Sequence, residues 1–374
     1  MIVGYDGTSL HGTISGVGYY TARLIENLAN GAGDGVIERL VVLSHRAVQL
    51  PKVARVPVQI YGSHHFPVCF LWMQVVLPWI LRRLEPDLVH FTNYQAPFAA
   101  GVPYVVSFHD MTLSLFPECH PLRRRLILSK LRPFVARRAR LVLVPSESTR
   151  RDVVQILGVD PARVRVIPYA ASPRFRPIEA GPERLEAAYG VRSAYFLFVG
   201  NLEPRKNLAR ALRAFARVAP SLPQHCFVLV GQHGWKYQEV LREAERIELN
   251  GRVRVLGYVP ENDLPLFYRH ATALIYPSLY EGFGLPVVEA MACGTPVLTS
   301  RSSSLTEIAE GAALLVDPYD EREIGDGLLA LATDGELRAG LTARGLERAA
   351  TYSWDRTARE TAAAYRDVRA PTRA

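Results

Sequence analysis

The amino-acid sequence predicts an α/β protein built from two doubly wound, Rossmann-like domains. Three observations predict it. Short apolar runs of strand length alternate with helical stretches along the whole chain, and such runs are what strands become when helices cover both faces of a parallel sheet. The chain has 374 residues, beyond the ~250 to 300 at which a single core normally splits. Between the halves, residues 168–182 hold four prolines and no apolar period, which reads as a linker. The expected division is an N-terminal domain over residues 1–172 and a C-terminal domain over residues 183–350.

Each element follows from local pattern. In the first half strands are predicted at 1–5, 40–43, 58–61, 88–91, 104–108, 141–144 and 164–167, with helices at 18–30, 69–83, 123–138 and 147–157. Gly158 is the expected stop of the last of these, and Pro133 is expected to kink or restart the helix that contains it. The second half alternates helices with strands at 196–199, 227–230, 253–256, 273–276, 297–299 and 313–316. One more helix, residues 353–369, follows once the second sheet is complete. In sheets of this kind ligands bind at the C-terminal strand edges, so a cleft between two facing domains is the expected place for a site. No internal sequence repeat accompanies the shared architecture.

Composition narrows the class. With 49% hydrophobic and 21% charged residues the chain can bury a substantial core. Cys69, Cys119, Cys226 and Cys293 show no paired spacing, which argues against a disulfide framework or a zinc site and fits a reducing compartment. The start MIVGYDGTSL reads as a first strand, so no secretory signal is expected, and the most apolar run, 66–81, is too short and proline-broken to span a bilayer. Lys and Arg number 19 against 11 Asp and Glu in residues 1–172 but 25 against 25 in the rest, so the first half carries the net charge of +8. Residues 121–140, PLRRRLILSKLRPFVARRAR, hold eight basic residues and no acid. An ordinary surface helix and a contact with an anionic membrane both remain open for this segment. Nucleic acid is set aside, because no nucleic-acid motif or aromatic array accompanies the charge.

Four motifs fall at predicted strand ends. Residues 276–300, YPSLYEGFGLPVVEAMACGTPVLTS, place Glu281 before the turn Gly282, Phe283, Gly284, and Glu289 eight residues on, in a short helix opened by Pro286 and stopped by Gly294. A turn and helix start there can offer backbone N–H groups to a diphosphate, and a carboxylate one turn inside can take a ribose hydroxyl. Taken alone, such a turn is more often unremarkable α/β chemistry. In VGNLEPRKNL, residues 199–208, Arg205 and Lys206 stand at an expected helix start, where cations are unfavourable unless an anion is near. A glycine-rich loop, Gly12 to Gly18, follows the first strand and is flexible enough to approach a phosphate. In SFHDM, residues 107–111, His109 follows an apolar strand, a position where a histidine is more often structural. Asn93 and Tyr94, after the preceding strand, are candidates for an acceptor side.

The whole pattern resembles the signature of retaining glycosyltransferases of family four, whose fold is called GT-B. The resemblance implies a terminal helix (353–370) that returns to the N-terminal domain, an acceptor role for that domain and a nucleotide-sugar donor role for the C-terminal one. It implies that Gly16 and Gly18 lie against the donor diphosphate, and that Arg205 and Lys206 bind it. Asn201 stands where many members have arginine, so Arg205 is expected to supply that guanidinium. His109 is expected to contact the donor sugar, with Asp110 bracing its loop. Glu281 is expected to hold sugar hydroxyls and Glu289 the ribose. The turn Phe283, Gly284, Leu285 would meet the donor, and the nucleobase would meet backbone near Val259.

The activity so implied is retaining transfer from a nucleoside-diphosphate sugar, GDP-mannose by general resemblance, to a lipid-linked or polysaccharide acceptor. No cofactor and no metal is expected, the nucleotide sugar being a substrate, and no Asp-X-Asp motif occurs in the chain. The expected location is the cytoplasm, peripheral at the inner face of the cell membrane through residues 121–140. Two alternatives stand beside it: a nucleotide-sugar epimerase of the same architecture, and a non-catalytic protein that binds nucleotide sugars or anionic surfaces.

Overall fold

The computed structural model describes residues 1–11, 16–32, 35–48, 50, 55–62, 66, 68–179, 181–192, 194–246, 249 and 251–368, with the side chains of Ala32, Gly62, Arg123 and Arg124 outside that description. The chain divides into two compact units, Met1–Ser114 with Leu122–Tyr169 and Ser353–Ala374, and Leu115–Pro121 with Ala170–Tyr352.

The first unit is a seven-stranded parallel sheet. Its strands are β1 (Ile2–Asp6), β2 (Arg39–Ser44), β3 (Val58–Gly62), β4 (Leu88–Phe91), β5 (Tyr104–Ser107), β6 (Leu141–Val144) and β7 (Val164–Val166), in the order β3-β2-β1-β4-β5-β6-β7. β4, β5 and β6 are buried at every residue, so both faces are covered, which is why they read as unbroken apolar runs. The helix Glu147–Leu157 is capped by the Ser146 hydroxyl, which accepts from the Thr149 amide, and ends at Gly158 with φ 63°.

The C-terminal helix Trp354–Val368 packs in this first unit, as the family resemblance implies. Its Thr357 hydroxyl donates to the Pro168 carbonyl at 2.7 Å. Tyr365, fully buried, hydrogen-bonds to Tyr5 of β1 and, at 2.6 Å, to Nδ1 of His90 on β4. Burial lowers the His90 pKa to about 3, so the ring is neutral and its other nitrogen pairs with Ser107 on β5 at 2.8 Å.

Three helices differ from expectation. The one predicted at 18–30 runs over Gly16–Asn27 and then widens into the turn Leu28–Ala32, where Gly31 adopts φ 132°, a conformation suited to glycine. The one predicted at 69–83 is broken by a wide turn, Trp72–Val76, between Cys69–Leu71 and Leu77–Leu84. Pro78 lies just beyond that turn and has no N–H for the carbonyl four residues back, which favours a local widening of the ladder. Pro133 does not restart its helix: Leu122–Arg138 is one run, with Leu128, Leu131, Val135 and Ala136 buried on both sides of the proline.

The second unit is a six-stranded parallel sheet of β8 (Tyr195–Val199), β9 (Cys226–Val230), β10 (Val253–Gly257), β11 (Ala273–Tyr276), β12 (Val297–Ser300) and β13 (Leu314–Val316), in the order β10-β9-β8-β11-β12-β13. The order reverses direction at β8, which pairs with both β9 and β11. That reversal is the switch point at which doubly wound sheets leave a crevice beyond their strand ends. At Gly231, just after β9, a Cβ would stand 1.9 Å from the Gly200 carbonyl oxygen, so the two strand ends meet at a distance only glycine allows.

Candidate active site

The switch point of the second unit gathers the predicted cations. After β8 the chain makes the tight turn Pro204–Lys206, and the helix Leu208–Val218 starts two residues later than the cations, from Asn207 in the left-handed conformation at φ 60°. Asn207 Nδ2 donates to the carbonyls of Pro277 (3.0 Å) and Pro318 (2.6 Å), which fixes that turn. Lys206 is thereby held with its Nζ donating to Tyr276 Oη and to Glu281 Oε1, both at 2.6 Å. Arg205 Nη1 reaches the other carboxylate oxygen, Glu281 Oε2, at 2.7 Å and also donates to the Tyr280 carbonyl.

The anion demanded by the misplaced cations is therefore present in the chain itself. Burial would raise the Glu281 pKa, but Arg205 and then Lys206 outweigh it and hold the carboxyl at about 2. Burial, and next to it Arg205, lowers that of Lys206. A carboxylate held this low stays ionised and is a weak base.

The Glu281 loop is fastened by hydroxyls that the sequence reading passed over. Thr299 and Ser300 of β12 donate to the carbonyls of Tyr276 (2.8 Å) and Ser278 (2.5 Å). Ser302 donates to Leu279, and Ser304 to both Glu281 and Phe283, while Ser303 Oγ accepts from the Glu281 amide at 2.9 Å. The visible signal is five hydroxyl residues in the six positions 299–304, immediately after an apolar strand.

Gly284 has φ 108°, and a Cβ there would come 2.7 Å from Leu305 Cδ2, so the turn requires glycine before Leu285 opens the helix Leu285–Ala292. Phe283 is buried, its ring edge-on to Tyr352 at 5.6 Å, so its side chain serves the fold and only its backbone faces the turn. One turn inside that helix Glu289 is half-buried, accepting from Tyr268 Oη at 2.8 Å. Burial pushes its pKa up to about 7, the Tyr268 hydrogen bond and Arg174 opposing and Glu261 adding to the rise. The Val259 side chain is likewise buried, next to the exposed Tyr258.

In the first unit, His109 lies just past β5. Its Nε2 is 2.7 Å from the Thr92 carbonyl, which can only accept, so Nε2 carries the proton and Nδ1 accepts from Tyr169 Oη at 2.6 Å. Burial lowers its pKa, leaving a neutral ring with both nitrogens engaged. Asp110 accepts from the Thr112 amide and hydroxyl, bracing the loop. Gly16 opens its helix at φ 38° with open space where a Cβ would lie, and Gly18 is buried within that helix. Gly12, Thr13, Ile14 and Ser15 of the predicted phosphate loop lie outside the described residues. No group of three or more His, Cys, Asp or Glu suited to a metal occurs among the described residues.

Comparison with known proteins agrees with this geometry. The profile described as Glycosyltransferase Family 4 matches residues 14–173, and that described as Glycosyl transferases group 1 matches residues 186–348. O-antigen chain mannosyltransferase B of Escherichia coli is 31% identical over 94% of this chain and 96% of its own. The chain belongs to the family-four glycosyltransferases. A serotype-specific mannosyltransferase, WbdA of Escherichia coli, is 26% identical over 74% of this chain, which spans about a third (36%) of that larger protein. Among solved structures, Anabaena Alr3699/HepE in complex with UDP and glucose superposes with a TM-score of 0.76, at 20% identity over 97% of this chain and 99% of the other. WaaG, a glycosyltransferase involved in lipopolysaccharide biosynthesis, gives 0.75 at 18% identity over 96% and 98%. These likenesses show the GT-B fold. The protein is a glycosyltransferase, and these matches lend the epimerase reading no support.

Proposed function

We propose that this family-four glycosyltransferase is a retaining, metal-independent enzyme that moves mannose from GDP-mannose to a lipid-linked or polysaccharide acceptor. The observation that carries the reading is the convergence of Arg205 and Lys206 on one buried carboxylate, Glu281, at the switch point of the second unit. Two cations against one carboxylate form a site ready to exchange partners. A donor diphosphate takes the N–H donors of Arg205 and Lys206, and Glu281 turns its freed oxygens to the sugar hydroxyls. Charge that grows on the leaving diphosphate is then met by donors already in place, in a poorly hydrated setting where they count most.

Glu281 is too weak a base to serve well as a covalent nucleophile, which favours attack from the face the leaving group departs. The acceptor oxygen bonds to the anomeric carbon as its bond to the phosphate oxygen breaks, and the acceptor's proton passes to that phosphate oxygen. Glu289, with Tyr268 on one oxygen, holds the ribose through the other. Gly16, Gly18, Gly284, Leu285 and the Val259 backbone keep their expected donor contacts in this reading, and His109 contributes as a neutral, fixed ring. Mannose is preferred because the two Escherichia coli relatives named above, which match at 31% and 26% identity, are mannosyltransferases.

Work at the inner face of a cell membrane is part of the proposal. The described residues contain no helix long and apolar enough to cross a membrane. The first unit nevertheless exposes Phe70, Leu71, Val75, Trp79 and Phe98, and along the helix Leu122–Arg138 also Leu122, Leu126 and Ile127. Phe98 joins the two sets, its ring 6.5 Å from Phe70 and 5.3 Å from Phe134. Arg83 lies over Trp79 and Arg138 over Phe134, and residues 39–84 and 119–146 contain no acid. Exposed apolar side chains interleaved with unopposed cations suit an anionic bilayer surface.

A panel of nucleotide sugars tested by thermal unfolding decides the donor. A ligand at a hundred times its Kd adds ~2.7 kcal/mol to the native state. GDP-mannose is expected to stabilise the protein and to yield an α-linked product by NMR. Stabilisation by none of the panel, or a β-linked product, refutes the reading.

A further inference from the structure

The C-terminal ends of β1 and β2 in the first unit hold polar groups that nothing in the donor site uses. Asp6, the last residue of β1, is buried, and its Oδ1 accepts from the Thr8 amide at 3.0 Å. Its Oδ2 is also buried and has no hydrogen-bond partner among the described residues. The backbone around it cannot easily shift. The Asp6 carbonyl accepts from Thr92 Oγ1 at 2.9 Å, and a Cβ on the next residue, Gly7, would come 2.6 Å from Val42 Cγ1.

Other groups converge on the same sheet end. His11 Nε2 lies 3.2 Å from Ser44 Oγ at the end of β2 and 3.4 Å from His45 Nδ1, with the two imidazoles edge to face at 4.7 Å. His45 is 6.1 Å from the ring of Trp72, a fully buried indole whose Nε1–H also lacks a partner among the described residues. Asp6 pairs in register with Leu43, one residue before Ser44, and after burial it is Asp6 that most raises the Cys69 thiol. His11 and Cys69 are half-buried and open the cluster to solvent.

An unmet acceptor and an unmet donor in one buried cluster are each costly, and native structures keep such groups where something polar pairs with them. The chemistry restricts the ligand. A lone carboxylate oxygen repels an anion, and a single free oxygen is too few for a metal ion, which asks for several. Burial pushes Asp6 up to about 6, so near neutral pH it is largely ionised and seeks a donor. Groups that donate and accept in turn, as sugar hydroxyls do, satisfy all of these side chains together.

We propose that Asp6, Trp72 and the His11–His45 pair form a hydroxyl-binding subsite for the acceptor saccharide. The inference rests on the transferase reading above and names residues for its acceptor. Asp6→Asn is the informative change, because the amide oxygen can still accept from Thr8 while the charge is lost. With mannobiose as acceptor and GDP-mannose as donor, the acceptor KM is expected to rise about tenfold or more, equivalent to at least ~1.4 kcal/mol. The donor KM, acceptor-free donor hydrolysis and the thermal midpoint are expected to stay as in the wild type. An unchanged acceptor KM in the folded variant overturns the proposal, as does an equal rise in both KM values, since a structural water at Asp6 would give one or the other. Should Asp6→Asn not fold, His11→Gln at the solvent-open side must show the same split, and its absence overturns the proposal. Wild-type transfer to mannobiose separates the two readings: its absence would sink the transferase reading, whereas wild-type transfer with no acceptor effect in the variant sinks only this one.

Discussion

Glu289→Gln is expected to stabilise the protein while removing donor binding. The carboxyl of Glu289 moves from an ordinary 4.5 to about 7 on folding, chiefly through burial. At ~1.36 kcal/mol per pK unit, the ionised side chain costs the native state roughly 3 kcal/mol at pH above 7. Because the folded value lies above the unfolded one, the native state holds a proton that the unfolded chain has lost between those two values. The contribution of Glu289 to wild-type stability therefore falls as pH rises from about 4.5 to about 7 and is flat beyond. Glutamine carries no such penalty and can still accept from the Tyr268 hydroxyl, though its new N–H groups return ~1 kcal/mol of the gain if they find no partner. A net gain of roughly 2 kcal/mol at pH 8, a few degrees in Tm, should be lost near pH 4.5, where the penalty is gone and the unpaired amide leaves the variant slightly the less stable. Thermal unfolding followed by circular dichroism at the two pH values measures it, with donor-induced stabilisation as the functional readout. A variant less stable than wild type at pH 8, or one that still binds the donor normally, would refute the assignment of Glu289 as a buried charge kept for the ribose. Glu261 and Arg174 act on the same carboxyl in opposite directions and are left in place in this comparison.

Two further outcomes are expected. Lys206→Ala should leave the fold intact, because Arg205 continues to pair with Glu281, yet lower kcat by about a hundredfold. That follows from losing one or two charge-assisted hydrogen bonds to the leaving group at ~1.5 to 3 kcal/mol each. Wild-type turnover in the variant would remove the diphosphate from this site. For the membrane surface, Leu71→Ala with Trp79→Ala removes two side chains about half exposed, so vesicles of anionic lipid should bind about a hundredfold more weakly, ~3 kcal/mol. Since Trp72 and Trp354 are buried, a blue shift of fluorescence on vesicle addition in a Trp235→Phe background reports on Trp79, and no shift at all counts against docking.

Much of this architecture was legible because it rests on one-dimensional signals. β4, β6 and β11 are apolar runs with nothing to confuse their limits, and Gly158 and Gly294 mark helix ends by their need for positive φ. Glu281, Lys206 and Arg205 were legible as a set, but their mutual pairing was not. Whether a cation at a strand end awaits a ligand or already holds a carboxylate 75 residues away depends on tertiary distance. The expected restart at Pro133 failed for the same kind of reason: propensity argued against continuity, and burial of Leu131 and Val135 on either side overrode it.

The hydroxyl run Thr299 to Ser304 shows the other limit. As sequence it is a polar loop; as structure its side chains satisfy the carbonyls of a segment that cannot use its own backbone for secondary structure, from Tyr276 to Phe283. This segment still has to pair its buried carbonyls, and the short hydroxyl side chains of residues 299–304 do this without adding charge. His109 follows the opposite course. Its two ring nitrogens are consumed by Tyr169 and Thr92, so whatever it contributes to catalysis comes from a neutral ring fixed in place, and not from proton transfer. Arg205, Lys206 and Glu281 by contrast keep their charges, with Ser303 and Ser304 of the hydroxyl run fastening the Glu281 backbone.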